Sequence, residues 1–222
     1  MDAQGLSGPV PVLIPTDGPI LAGDLAVPAG ATGVALFAHG SGSSRQSPRN
    51  RSVARTIRAS GTATLLFDLL SPAEEREDAI DGRLRFDIGL LALRLAHAAR
   101  WIKGQPGTSH LGIGFFGAST GGAAALVAAA ELGAGVKAVV CRGARPDLAG
   151  DALSRVRSPT LLIVGERDGF VLKLNRDSYA QLSCQKQLTI VPRATHLFEE
   201  AGALEEVASL ATEWFKRHLK PA

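Results

Sequence analysis

The sequence predicts an α/β fold: a mostly parallel, twisted sheet of about eight strands flanked by helices. Three observations carry that prediction. Apolar runs such as Val34-Ala35-Leu36-Phe37-Ala38 and Thr160-Leu161-Leu162-Ile163-Val164 lack polar alternation, which suits strands buried on both faces of a parallel sheet. Helical patterns lie between successive runs, as crossover connections require. One run, residues 113–117, passes through Gly117-Ala118-Ser119-Thr120-Gly121 straight into the Ala-rich stretch 123–130. In that strand–turn–helix context Gly-x-Ser-x-Gly lifts a serine hydroxyl above the sheet edge on a sharp turn.

Residues 1–8 are expected to be disordered. Residues 10–14 and 20–27 read as a twisted antiparallel edge pair joined by Pro15-Thr16-Asp17-Gly18. The run at 34–38 delivers His39-Gly40-Ser41-Gly42-Ser43-Ser44-Arg45. The backbone amides of such a Gly/Ser loop are unobstructed and can converge on an anion. His39, directly before the glycine, is expected to brace this loop by hydrogen bonds. Residues 53–60 continue as a helix and 63–67 form the next buried strand. Residues 69–85 are polar and mostly acidic (Glu74, Glu75, Glu77, Asp78, Asp81) and read as a surface excursion beside a pocket. Residues 86–103 have Ile88, Leu91, Leu95 and Ile102 near helical spacing, with Gly104 and Pro106 as stop signals.

After the Ala-rich helix, 136–141 is a strand, followed by Arg142-Gly143-Ala144-Arg145-Pro146-Asp147. The next strand, 160–164, starts too soon for a separate lid domain, so the pocket is expected to be open or covered only by loops. That strand ends in Gly165-Glu166-Arg167-Asp168-Gly169, and the last strand, 186–191, leads to Arg193-Ala194-Thr195-His196. Leu204, Val207, Leu210, Ala211, Trp214 and Phe215 mark a closing amphipathic helix.

At 222 residues with 45% hydrophobic and 20% charged side chains, the chain is read as one globular domain, residues 1–222. A net charge of +3 spread along the chain, with eight Phe, two Trp and one Tyr, gives no footprint for nucleic acid. No apolar run spans a membrane, and Met1-Asp2-Ala3-Gln4-Gly5 lacks the basic and apolar regions of a leader, so the expected compartment is the cytoplasm. Cys141 and Cys184, the latter placed at a helix end, make no disulfide framework and are read as inert thiols. No Cys/His spacing suits zinc, and no cofactor or metal is expected. A monomer or homodimer is expected.

In a chain with 25 glycines the bare pentapeptide is a weak signal; its partners strengthen it. Ser119, Asp168 and His196 follow three different strands in the chain order nucleophile, acid, histidine. Glu166 is the rival acid. On these residues the chain resembles the α/β-hydrolases, in their dienelactone-hydrolase-like branch, from about residue 10 to 219. It is also similar to the hydrolase module sometimes fused to a phosphoribosyltransferase domain in bacteria. That similarity runs through His39 to Arg45 with Ser47-Pro48-Arg49-Asn50, through Gly117 to Gly121, and through Ala194-Thr195-His196-Leu197-Phe198; no second domain is expected here. Dienelactone hydrolases carry cysteine at the elbow, where this chain has Ser119.

The resemblance implies an α/β-hydrolase fold without a lid domain and a serine esterase acting on small carboxylic esters. Ser119 would be the nucleophile, His196 the base and Asp168 its orienting acid. The backbone amides of Ser41 and Thr120 would hold the oxyanion. From the residues themselves, Arg45, Arg49 and Arg51 either face the pocket or make a solvated helix start, and Arg45 with Arg142 and Arg145 would attract a carboxylate or phosphate on the substrate. A thioesterase, a lactonase or an acyltransferase would use the same triad. A non-catalytic ligand-binding protein on this fold is the alternative from another class.

Overall fold

The structure, a computed structural model, describes residues 8–219; apart from Gly8, the expectation for residues 1–8 lies outside them. Eight strands form one sheet: β1 (Val10–Ile14), β2 (Leu21–Ala26), β3 (Gly33–Ala38), β4 (Ala63–Phe67), β5 (Gly112–Ala118), β6 (Val136–Arg142), β7 (Thr160–Gly165) and β8 (Lys186–Val191). Their order is β1-β2-β4-β3-β5-β6-β7-β8. The strands from β3 to β8 pair in parallel, while β1 and β2 are antiparallel to each other and β2 is antiparallel to β4. All residues of β3, β4, β5 and β7 are buried, as expected of strands covered on both faces.

Six α-helices cover the sheet among the described residues: α1 (Pro48–Ala59), α2 (Pro72–Asp81), α3 (Ile88–Gly104), α4 (Thr120–Leu132), α5 (Gly169–Gln181) and α6 (Ala203–His218). Leu91, Leu95 and Ile102 of α3 and the alanines of α4 pack with Leu36, Leu65 and Phe115 on one face. Val53 and Ile57 of α1 and Val207, Trp214 and Phe215 of α6 pack with Phe37, Phe116 and Ile163 on the other. Between β6 and β7 the chain makes only short 3-10 turns, Pro146–Arg155, kinked at Gly150. No helix among the described residues is long and apolar enough to cross a membrane.

The acidic stretch read as a surface excursion contains a regular helix, α2. Its start was signalled by Ser71 and Glu74: the Ser71 hydroxyl accepts from Glu74 N, and the Glu74 carboxylate accepts from Ser71 N at 2.7 Å. This capping box, with Pro72 in the first turn and Gly82 left-handed at the end, outweighs a weak apolar pattern. Cys184 lies past the end of α5, in the turn before β8, with Sγ 3.7 Å from Thr160 Oγ1. Burial pushes the Cys141 thiol up to about 12, which leaves it protonated and inert. His97 is buried, its Nδ1 accepting from Asp17 N at 3.3 Å.

The sheet turns its carboxyl edge toward the loops after β3, β5, β6, β7 and β8, where the candidate residues lie. Helix α6 lies close over the centre of the sheet because Gly114 leaves room for it: a Cβ there would stand 2.8 Å from Phe215 Cε1. Gly114→Val is expected to cost about 1–3 kcal/mol by overpacking, read as a lower urea midpoint with an unchanged m value.

Candidate active site

Ser119 sits between β5 and α4 with φ 52 and ψ −122, a conformation that costs a non-glycine residue of the order of 1–3 kcal/mol. The turn is possible only because its flanks carry no Cβ. At Gly117 one would stand 2.5 Å from Gly121 O and from Gly122 Cα; at Gly121 it would overlap the carbonyls of Ala38 and His39. Ser119 makes no side-chain capping bond to α4, so its hydroxyl is not consumed as a helix cap. Its backbone is fastened to the loop after β6, with Ser119 N donating to Arg142 O at 3.2 Å and Arg145 N donating to Ser119 O at 3.1 Å.

Asp168 and His196 meet across the ends of β7 and β8. Asp168 Oδ2 lies 2.6 Å from His196 Nδ1, with the carboxylate side chain 14% exposed and the imidazole 39%. The histidine loop is held on several sides. Arg167 N donates to Ala194 O, Arg193 N to Glu166 Oε2 at 2.7 Å, and Thr195 N to Glu200 Oε1 at 3.1 Å. Glu166, the rival acid, thus ties the loop down and leaves the imidazole to Asp168. Two loop residues, Arg193 and Phe198, have positive φ. Gly165 gives this loop its seat, since a Cβ there would overlap the Ala194 carbonyl.

The imidazole leans on the turn that also holds Ser119: His196 Cε1 is 3.5 Å from the position a Cβ would take on Gly143. Among the described residues no hydrogen bond joins Ser119 Oγ to His196, whose hydrogen bond goes to Asp168. Nucleophile–base hydrogen bonds are often loose before substrate binds.

His39 braces the loop after β3. Its Nε2 accepts from Leu69 N at 3.1 Å and its Nδ1 faces Gly40 O at 3.1 Å, a pattern that assigns the proton to Nδ1. Burial, above all, holds its pKa below the ordinary 6.5, against opposing pulls from Gly40 O and Asp68. Ser41 N donates to Thr120 Oγ1 at 2.9 Å, and Thr120 N opens the first turn of α4, where amides lack intrahelical acceptors. The two candidate oxyanion donors therefore sit on adjoining backbone, with the Thr120 hydroxyl accepting from one of them.

A cavity of about 600 Å3 is lined by Gly40, Ser41, Ser44, Arg49, Leu70 and Glu75, among others, and Ser119, Asp168 and His196 are not in its lining. Gly40 abuts the serine: a Cβ on it would stand 3.0 Å from Ser119 Cβ. Burial and the neighbouring Asp68 raise the Glu75 pKa.

The arginines differ sharply. Arg45 is not brought to the cavity: its guanidinium is paired with Asp68 and reaches Asp24 at 3.6 Å, and its N donates to Asp68 Oδ1 at 2.8 Å. Arg145 forks onto Asp147 at 2.9 and 2.7 Å, which raises its pKa, and lies over the Phe170 ring. Among the described residues Arg142 pairs with no carboxylate. It is 7% exposed, 6.0 Å from the centre of the Phe198 ring, and burial with the nearby Arg49 charge lowers its pKa to about 10. Of Arg45, Arg49 and Arg51, the three candidates after the Gly/Ser loop, Arg49 lines the cavity. Among the described residues no group of three or more His, Cys, Asp or Glu could hold a metal ion.

A family model described as an alpha/beta hydrolase domain matches residues 31–212. Two Mycobacterium tuberculosis proteins, each with a provisional phosphoribosyl transferase name, are 55% identical over 218 residues, 98% of this chain. The chain spans about half the length of these curated relatives, 46% of each. A crystal structure named dienelactone hydrolase from Anabaena variabilis is 56% identical, with a TM-score of 0.94 over 96% of this chain and 100% of that one. Est1E from Butyrivibrio proteoclasticus, 18% identical with a TM-score of 0.78 over 95% of this chain and 98% of that one, shares the fold.

Because the folded protein holds His39 below its ordinary 6.5, the unfolded chain binds that proton more readily. The associated stability is complete above about pH 6.5 and declines as pH falls below it, toward the folded-state pKa. His39→Gln should flatten this dependence, measured as urea midpoints between about pH 5 and 7.5; equal slopes in both proteins would refute it.

Proposed function

The chain belongs to the α/β-hydrolase family, and on that premise we propose that it is a serine hydrolase cleaving small carboxylic esters through an acyl-enzyme. The observation that supports this most is the hydrogen bond from His196 to Asp168 across two strand ends, beside a serine on a strained elbow. A serine hydroxyl is a poor nucleophile until a base takes its proton. With Nδ1 committed to Asp168, His196 offers Nε2 for that proton, and the carboxylate stabilises the imidazolium that results.

Attack on the ester carbon moves charge onto the carbonyl oxygen. Thr120 N and Ser41 N would receive it, the latter exchanging its bond to the Thr120 hydroxyl for one to the oxyanion; a donor of this kind is worth about 3 kcal/mol of barrier. His196 then protonates the leaving alcohol, and water, deprotonated by the same imidazole, releases the acid. The residues at this edge need no other group for these steps. A second reading, lactone opening, is favoured by the similarity to the Anabaena variabilis protein named dienelactone hydrolase; it uses the same steps with the alcohol still tethered.

Ser119→Ala should reduce turnover of p-nitrophenyl acetate and butyrate at least about 10³-fold while the circular dichroism spectrum is kept. A fluorophosphonate probe should label the wild type and not the variant. Retained turnover would end this proposal. Asp168→Asn, which disturbs the imidazole tautomer, should lower kcat by about 10²–10⁴ with little change in KM.

A further inference from the structure

The cavity and the histidine lie on opposite sides of Ser119. Along the carboxyl edge the strands run β4-β3-β5-β6-β7-β8. Ser119 follows β5, and the cavity is lined by Gly40 and Ser41 after β3 and by Leu69 and Leu70 after β4. Asp168 and His196 follow β7 and β8, and the imidazole reaches the serine's turn from the side of Gly143, after β6. This order separates the two halves of an ester. The leaving oxygen must face His196, which protonates it. The carbonyl oxygen faces the amides of Ser41 and Thr120. The acyl chain is left with the side of Gly40, where a Cβ would stand 3.0 Å from Ser119 Cβ, and so with the cavity.

Of the charged side chains in that lining, one lacks a counterion. Arg85 pairs with Asp78, and Arg49 with Glu199. Glu75, in the first turn of α2, makes no ion pair and no side-chain hydrogen bond among the described residues. Desolvation and Asp68 raise its pKa against a pull from Arg45, and Arg45 is already claimed by Asp68 and Asp24. The Glu75 side chain is exposed, hence within reach of a group that enters the cavity. Hydroxyls of Ser43 and Ser44 and the buried Leu70 and Leu91 are also in the lining. After internal pairing, the described lining therefore keeps one negative charge and no positive one.

We propose that the cavity is the acyl subsite and that Glu75 selects acyl chains ending in a primary ammonium group. The inference rests on the esterase reading for the reactive bond, and on the cavity and its unmatched carboxylate for the cation. A volume of about 600 Å3 is ample for such a chain. Its methylenes would lie along Leu70 and Leu91. Its three N–H donors would meet the Glu75 carboxylate and the serine hydroxyls. An anionic chain would set like charge against Glu75, so the carboxylate attracts one class of substrate and repels the other.

The test uses p-nitrophenyl esters of 6-aminohexanoate, heptanoate and adipate, similar in chain length and different in terminal charge. Wild type should rank them in that order by kcat/KM. Glu75→Gln should lower the ratio of aminohexanoate to heptanoate about fivefold, the upper end for a solvent-facing ion pair, and Glu75→Lys should place adipate first. Glu77→Gln removes a carboxylate from the same helix but outside the cavity and should leave the ratio unchanged. In Ser119→Ala, calorimetric titration should show hexylammonium binding more tightly than hexanoate, and adding Glu75→Gln should weaken hexylammonium about fivefold.

The same preference in wild type and Glu75→Gln, an equal effect of Glu77→Gln, or hexanoate binding as tightly as hexylammonium would each overturn the subsite. A Glu75-dependent preference for butyrylcholine over 3,3-dimethylbutyl butyrate, with none among the acyl series, would overturn the placement of the acyl half. Glu75-dependent binding of hexylammonium by a protein without Ser119-dependent turnover would sink the esterase reading alone. Ser119-dependent turnover of all three esters without a Glu75-dependent preference would sink this inference alone.

Discussion

Backbone contact at the elbow is the constraint on which the rest of the site depends. Gly117, Gly121 and Gly122 let the start of α4 press against Ala38, His39 and Ala144 with no side chain between. That contact fixes Ser119 at a positive φ and brings Thr120 within hydrogen-bonding distance of Ser41. It also docks the serine on the loop after β6 through two backbone hydrogen bonds. Strain in one residue is tolerated because a close-packed surround admits no alternative.

The histidine is placed by a different device. Its loop carries two residues of positive φ and is tied at Ala194, Arg193 and Thr195 by partners on the loop after β7 and on Glu200. Gly165 allows the close approach. The imidazole, more than a third exposed, is thus positioned from beneath by backbone, with Asp168 as its only hydrogen-bond partner among the described residues. The result is a ring seated by backbone yet accessible, which suits the base role proposed for it.

Electrostatics divides the arginines at this edge into two kinds. Arg45 and Arg145 are matched with carboxylates and serve the scaffold. Arg49 meets the exposed Glu199, and Arg142 has no carboxylate partner among the described residues, its Nε and Nη1 being buried. In sequence all four look alike, since pairing depends on which aspartate folding brings alongside. Asp68 reaches Arg45 from the end of the neighbouring strand β4, a contact that no local spacing encodes.

From the residues alone came the eight strands, the parallel character of the sheet, the short β6–β7 connection and the order Ser119, Asp168, His196, because burial on both faces and strand-to-helix turns leave local signatures. Helix α2 was also legible in its Ser71–Glu74 capping box, though its acidic composition drew attention to solvent. Tertiary structure decided the rest: that Asp168 and not Glu166 meets the imidazole, that Ser41 N is shared with the Thr120 hydroxyl, and that one arginine is buried without a counterion. These are matters of distance between segments far apart in the chain, and periodicity records only what a residue does within its own turn or strand.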